Sequence, residues 1–328
     1  MKKIVSVMLA LVLCFAFVAC DNSGEANQGA NGGTKKYKIG ICQLMEHVAL
    51  DAATEGFKQA IIDELGAENV EFDVQNGQGE PTTCSTIVNQ FVSNRVDLIM
   101  ANATPALQSA AAATGDIPIL GTSVTEYGVA LELDDFNGTV GGNISGTSDL
   151  APLDKQAKMI TEWCPDAKTV GLLYCSKEAN SQYQVDVVKS ELEKENLTVT
   201  LYPFTDSNDL AQVCTTAADK CDVIYVPTDN TVAENTGIID NICEPKKVPV
   251  IAGEEGICSG CGIATLSINY YDLGYTTGKM AVKLLRDGAD ISTMAIEYAE
   301  KQTPKYNKQN CEALGITPLE GYVAIEEK

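Results

Sequence analysis

The sequence predicts two doubly wound, parallel-sheet α/β lobes joined by a hinge. Three observations lead there. Strand and helix patterns alternate without interruption from residue 37 to residue 253, which is the signature of parallel sheets covered by helices on both faces. The alternation divides into two halves of similar rhythm at "GNISGTSDLAP" (142–152), a stretch rich in Gly, Ser and Asn as a connection should be. The chain after residue 263 carries too few elements to form a core of its own.

In the first half, "YKIGIC" (37–42) reads as a strand. "LDAATEGFKQAIIDEL" (50–65) reads as a helix, with Ala53, Phe57, Ala60, Ile61 and Leu65 at three- and four-residue steps. "NVEFDVQN" (69–76) is a strand. "EPTTCSTIVNQFVSN" opens a helix with Pro81 in its first turn. "VDLIMANAT" (96–104) is a buried strand, "PALQSAAAAT" a short helix and "IPILGTS" (117–123) a further strand. The second half gives helix 152–163, strand 168–175, helix 181–195, strand 198–204, helix 208–219, strand 221–230, helix 231–242 and strand 248–253. "ATLSINYYDLGYTTGKMAVKLLRDG" then gives a strand and a long helix, and "IEYAEKQTPKYNKQNCEALGI" a strand and a short helix. These last pieces must add to existing units, so the chain crosses between lobes more than once. The expected lobes are 37–145 and 146–262, with 263–328 shared between them.

The amino end reads differently. Lys2 and Lys3 precede sixteen mostly apolar residues ending at Ala19, with Cys20 next, too short for a comfortable membrane span. The next residues, "DNSGEANQGANGGTKK", have no apolar side chain larger than Ala and cannot offset their own ordering entropy, so 20–36 reads as a tether. This start resembles the lipobox of bacterial lipoproteins, with Phe17 where Leu is usual. The resemblance implies a signal peptide over 1–19, lipidation at Cys20, and a place outside the cytoplasm. That place is the outer face of the cell membrane, or the periplasm if the cell has two membranes.

Composition excludes several classes. The formal charge is −22, and a surface that acidic repels nucleic acid. Arginine occurs twice, at Arg95 and Arg286, and no basic patch exists. Twelve cysteines are many for an exported chain; their irregular spacing over about 290 residues does not make a small disulfide scaffold. Buried thiols are the expectation, with Cys258 and Cys261 the one close pair, either a local disulfide or half of a metal site. His47 is the lone histidine and no second Cys-x-x-Cys occurs, so neither a zinc site nor a cofactor is expected. A Ser-His-Asp set, G-x-G-x-x-G and the P-loop are likewise missing, and no enzyme is expected.

Binding is the better reading. In a doubly wound lobe the strand ends face the ligand crevice. Here they carry Gln43, Glu46 and His47; Asn102 and Thr104; Thr122, Ser123 and Thr125; Glu178, Asn180 and Ser181; Asp229 and Asn230; and Glu254. Any one could be a routine helix cap; their recurrence at the same topological position is the signal. Hydroxyls and helix N-terminal amides can receive a carboxylate, and Asp229 beside Asn230 can pair with an ammonium. His47, Tyr127, Tyr183 and Tyr271 are candidates for an apolar wall.

"ICQLMEHVALDAATEGFKQAI", "ANATPALQSA", "GTSVTE", "GTSDL", "LYCSKEANSQYQ", "VPTDNTV" and "GIATLSINYYDLGYTTGKMA" together resemble the ABC-transporter substrate-binding family that includes tryptophan- and tyrosine-binding lipoproteins. The likeness covers roughly 37–325, with Val48 where the family often has Pro. It implies a type I periplasmic-binding-protein fold, a monomer that closes on an aromatic amino acid. It also implies partners, an ABC permease and its ATPase. The alternatives are a surface adhesin, a sensory ligand-binding lipoprotein, or a receptor for a sugar or nucleoside.

Overall fold

The computed structural model describes residues 36–299 and 301–326; the expected signal segment, the tether up to Lys35 and the lipidation position Cys20 lie outside them. The first lobe contains β1 (Tyr37–Gln43), α1 (Val48–Leu65), β2 (Val70–Asn76), α2 (Pro81–Asn94), β3 (Leu98–Asn102), α3 (Thr104–Ala113), β4 (Ile119–Val124), α4 (Tyr127–Ala130) and β5 (Ile144–Ser148). The second contains α5 (Leu153–Trp163), β6 (Thr169–Cys175), α6 (Ala179–Lys194), β7 (Thr198–Phe204), α7 (Ser207–Ala218), β8 (Val223–Val226), α8 (Asn230–Glu234), α9 (Thr236–Lys246), β9 (Val250–Ala252), α10 (Glu255–Cys261) and β10 (Ala264–Ile268). Then come α11 (Tyr270–Leu285), β11 (Glu297–Tyr298), β12 (Gln302–Tyr306), α12 (Lys308–Leu314) and β13 (Val323–Ala324).

The strands form two sheets, in the orders β11-β5-β4-β3-β1-β2 and β13-β12-β10-β9-β8-β6-β7. The central strands β3 and β8 are buried along their whole length, as strands covered on both faces should be. Three crossings join the lobes: β5 to α5, β10 to α11, and β11 to β12. The boundary expected after residue 145 falls inside β5, which pairs with β4 and continues the first sheet to Ser148.

Two strands depart from the parallel pattern, β12 and, parallel to it, β13. β12 runs antiparallel to β10. The chain leaves β11 and re-enters the second lobe at the end where the parallel strands finish, so its next strand must run the other way. The helix expected over 231–242 is two helices: Asn235 leaves helical geometry, and its side chain bonds back to the Thr231 carbonyl at 2.8 Å. The short helices α4 and α10 carry no periodic signal.

The returning helix α11 packs on α1, and small residues let the two backbones meet. A Cβ built on Gly274 would lie 1.9 Å from the Ala53 carbonyl oxygen, and one on Gly56 2.1 Å from that of Tyr271. The first turns of both helices are thereby fixed at the cleft. All ten cysteines of the described residues are free thiols, nine of them buried.

Candidate functional site

The ends of β1, β4, β6, β8 and β9 converge on a cavity between the lobes. Its lining includes His47, Ala49, Leu50, Ser123 and Thr125 from the first lobe and Asn180, Thr228, Asp229, Asn230, Ala233 and Glu254 from the second. Asp149 and Tyr270 line it from two of the crossings.

Half of the residues expected at the site do not line it. Gln43 donates to Asp51 Oδ1 at 2.7 Å and to the Met45 carbonyl at 2.8 Å, and accepts from the Thr54 hydroxyl at 2.6 Å. Asn102 donates to the Leu50 carbonyl at 2.8 Å and to Thr54 Oγ1 at 3.0 Å. Together they anchor the opening turns of α1 from below. Thr122 joins a hydroxyl chain through Thr147 to Thr277 of α11. Thr104 is buried in the first turn of α3, Ser181 in that of α6, and Glu46 is exposed; none of the three lines the cavity. Nor do three of the candidates for an apolar wall: Tyr127 is buried with its hydroxyl on the Thr147 carbonyl, Tyr183 lies on α6 outside the lining, and Tyr271 stacks on Tyr275. The neighbouring Tyr270 takes that place.

Glu178 is a clamp rather than a contact. Its Oε1 accepts from the Thr231 amide and hydroxyl at 2.9 and 2.8 Å, and its Oε2 from the Asn230 amide and side chain at 3.0 and 2.6 Å. Because the carboxylate takes the Asn230 NH₂, the Asn230 carbonyl faces the cleft, where His47 Nε2 lies 3.2 Å away. Nε2 must then be the donor. This contact crosses from one lobe to the other. Burial lowers the His47 pKa, offset in part by Asn230, Glu178 and Asp51.

Three carboxylates line the cavity, and no lysine or arginine does. Two are already occupied. Asp229 caps α8: Oδ1 accepts from the Val232 amide at 2.9 Å and Oδ2 from the Cys175 amide at 2.7 Å. Burial, then the Glu178 charge, pushes it up to about 8. Glu254 caps α10 through the Gly256 and Ile257 amides, and burial pushes it up to about 7. The ammonium role expected of Asp229 therefore meets a carboxylate committed to backbone amides.

Asp149 is different, and the strand-end reading missed it. Its Oδ2 accepts from the Tyr270 hydroxyl at 2.9 Å, while Oδ1 is buried without a partner. Burial raises its pKa, countered by the Tyr270 and Thr125 hydroxyls. Asn180 Oδ1 and Ser123 Oγ are likewise buried, unpartnered and in the cavity lining. Buried polar atoms are rarely left unpaired, and three of those unpartnered here gather in this one cavity. Ser123 stands at a register shift between β4 and β5 with φ +53°, a conformation that costs a non-glycine residue energy and recurs at binding sites. Opposite it, α1 opens at His47 with no side-chain cap. The first-turn amides of Ala49 and Leu50, both in the lining, have no intrahelical carbonyl to bond.

A cavity between two α/β lobes, lined by unpartnered polar atoms, is the geometry of a two-lobed solute-binding protein. Residues 38–325 match the ABC transporter substrate binding protein family, and the chain belongs to that family, whose members bind solutes outside the cytoplasm and are not enzymes. It is 35% identical to a tyrosine-binding protein of Clostridioides difficile (strain R20291), over 97% of this chain and 94% of that protein. An ABC domain from Streptococcus pneumoniae in complex with L-Trp superposes with TM-score 0.84 at 32% identity, covering 89% of this chain and all of that one. The ligand-free, open structure of a substrate-binding protein with adhesive properties from Clostridium difficile gives TM-score 0.68 at 38% identity, again over 89% of this chain and all of that one. In this chain the His47–Asn230 contact joins the two lobes across the cavity.

Proposed function

We propose that this chain is the lipid-anchored receptor of an ABC importer. It would bind an aromatic α-amino acid, tyrosine before tryptophan, as a monomer that closes on its ligand. The observation that carries the reading is the trio of unpartnered atoms. Asp149 Oδ1 and Asn180 Oδ1 are acceptors only and suit an ammonium; the Ser123 hydroxyl and the α1 amides are donors and suit a carboxylate. Tyr270, Leu50 and Ala233 offer apolar surface for the side chain. The tyrosine-binding and L-Trp-bound relatives support the aromatic class. The lysine-led apolar start and Cys20 support the lipid anchor, and the family supports a permease and ATPase as partners.

Native mass spectrometry of residues 36–328, followed by calorimetry with amino acids, nucleosides and sugars, tests this. Tyrosine, tryptophan or phenylalanine bound one to one is the expected result. A sugar or nucleoside would overturn the ligand class. Absence of any binding, together with attachment to cell surfaces, would favour adhesion, a property described for the Clostridium difficile relative.

The same reading predicts acid-sensitive binding. In the ligand-free cleft, burial holds the Asp149 pKa up; Tyr127, Tyr270, Thr125 and Glu254 face it, and none brings a positive charge. An ammonium beside it lowers that pKa, so binding expels a proton. Affinity is complete above the ligand-free pKa and falls as the pH drops through it, by up to about tenfold per pH unit. Neither end of a free amino acid titrates between about pH 8 and about pH 5, so calorimetry with L-tyrosine over that range reads the protein's own groups. Asp229 and Glu254, pushed up to about 8 and about 7, titrate in the same range, so an acid dependence that is unchanged in Asp149→Asn would remove Asp149 from the ammonium site.

A further inference from the structure

The ten thiols of the body take no part in the ligand site, yet they are not equivalent. Four have an oxygen to bond. The Cys261 thiol donates to the Ile257 carbonyl at 3.4 Å, Cys221 to the Tyr202 hydroxyl at 3.5 Å, and Cys175 and Cys311 to the Thr205 and Ile263 carbonyls, each at 3.7 Å. Cys214 on α7 and Cys243 on α9 instead meet sulfur to sulfur, Sγ to Sγ at 3.7 Å. Both are buried in one apolar cluster of the second lobe with Leu210, Ile239 and Ile257. Among the described residues no group of three or more His, Cys, Asp or Glu side chains could hold a metal, so metal ligation does not account for the pair.

We propose that Cys214 and Cys243 are a disulfide-forming pair that locks α7 to α9. Van der Waals contact between two thiols becomes a bond when the sulfurs close to about 2.05 Å. Side-chain rotation and a small relative movement of two helices that pack directly can supply that distance. The two cysteines are 29 positions apart, and the loop they would close contains β8 and the Thr228–Asp229–Asn230 turn of the ligand cavity. A bond here therefore ties off the part of the second lobe that carries its ligand residues, and removes loop freedom from the unfolded chain.

The chemistry is thiol–disulfide exchange with an external disulfide, either a small molecule or an oxidoreductase. One cysteine loses its proton, and its thiolate attacks a sulfur of the external disulfide. This forms a mixed disulfide and releases one thiolate. The second cysteine loses its proton and displaces the remaining external thiolate, closing Sγ–Sγ. Two protein thiols are oxidised, one external disulfide is reduced, and the two protons end on the two released thiols. The Cys214 contact and burial hold the Cys243 thiol protonated, so exchange proceeds during folding or on local opening of α7 and α9 rather than in the closed core. An exported chain folds where such oxidants occur.

The test refolds the full-length chain in a glutathione redox buffer, blocks free thiols with iodoacetamide under denaturing conditions, and maps the peptides by mass spectrometry. The expected product is a Cys214–Cys243 cross-linked peptide two hydrogens lighter than the reduced pair. It should come with a Tm about 5–10 °C higher than in dithiothreitol. The Cys243→Ala chain should show no redox-dependent Tm difference. Carbamidomethyl groups on both Cys214 and Cys243 after oxidative refolding would overturn the proposal. A bond found elsewhere instead would do the same, whether Cys258–Cys261 or Cys42–Cys84, whose thiols also share a hydrogen bond. None of these readouts depends on what the cleft binds.

Discussion

Asp149→Asn should lower the affinity for L-tyrosine by about 30- to 4,000-fold, roughly 2–5 kcal/mol, the usual cost of losing a desolvated charge partner. The substitution keeps the shape of the side chain and an oxygen for the Tyr270 hydroxyl, which lies 2.9 Å from Oδ2. It removes the charge that the ammonium would meet at Oδ1. Stability should hold or rise slightly, because a carboxylate buried to 4% exposure no longer has to be kept from water. Calorimetry reads the first effect and thermal melting the second. Affinity within about threefold of the parent would place the ammonium elsewhere. Asp229→Ala is a poorer probe, since it strips the Cys175 and Val232 amides of their acceptor and mixes lost folding energy with lost binding.

Gly274→Val should destabilise the protein by at least about 3 kcal/mol, which lowers Tm by roughly 6–12 °C if the chain still folds. The new Cβ would stand 1.9 Å from the Ala53 carbonyl oxygen. Backbone cannot rotate out of the way as a side chain can, so α11 must lift from α1. The effect should reach the ligand, because α11 begins at Tyr270 and α1 carries Ala49 and Leu50 in its first turn. Gly115→Ala is the control: nothing lies within 4 Å of a Cβ there. Equal melting of the Gly274→Val and parent proteins would show that the helix contact is softer than the geometry says.

The layers of the fold were legible because their signals are long and periodic. Phe57, Ala60 and Ile61 mark the buried stripe of α1 in the sequence and are buried in the structure. The antiparallel turn of β12 was not legible, since it follows from where the chain re-enters the second lobe rather than from the residues of the strand. At the site, strand ends led to His47, Ser123, Thr125, Asn180, Asp229, Asn230 and Glu254, all of which line the cavity. The same rule also led to Gln43 and Asn102, which hold α1 from behind. A strand end points one residue at the crevice and the next at the helix layer, and sequence position alone does not say which. Asp149 was hidden for another reason. The Gly-, Ser- and Asn-rich stretch around it reads as a connection, so its residue just beyond the end of β5 was not treated as a strand end. The outlier conformation of Ser123 and the unpaired Asp149 oxygen exist only in three dimensions.

The order of the crossings sets an order of assembly. The second lobe is continuous from α5 to β10 before α12 and its last two strands are added, whereas the first sheet lacks its outermost strand, β11, until residues 297–298 have been made. A chain emerging amino end first therefore presents β1 to β5 and α1 long before α11 arrives to cover the face of α1 around Ala53 and Gly56. During that interval the first lobe displays apolar helix surface that it later hides, while the second sheet still waits for β12 and β13. A stop or truncation within α11 should leave both lobes unfinished, the first without β11 and the second without β12, α12 and β13.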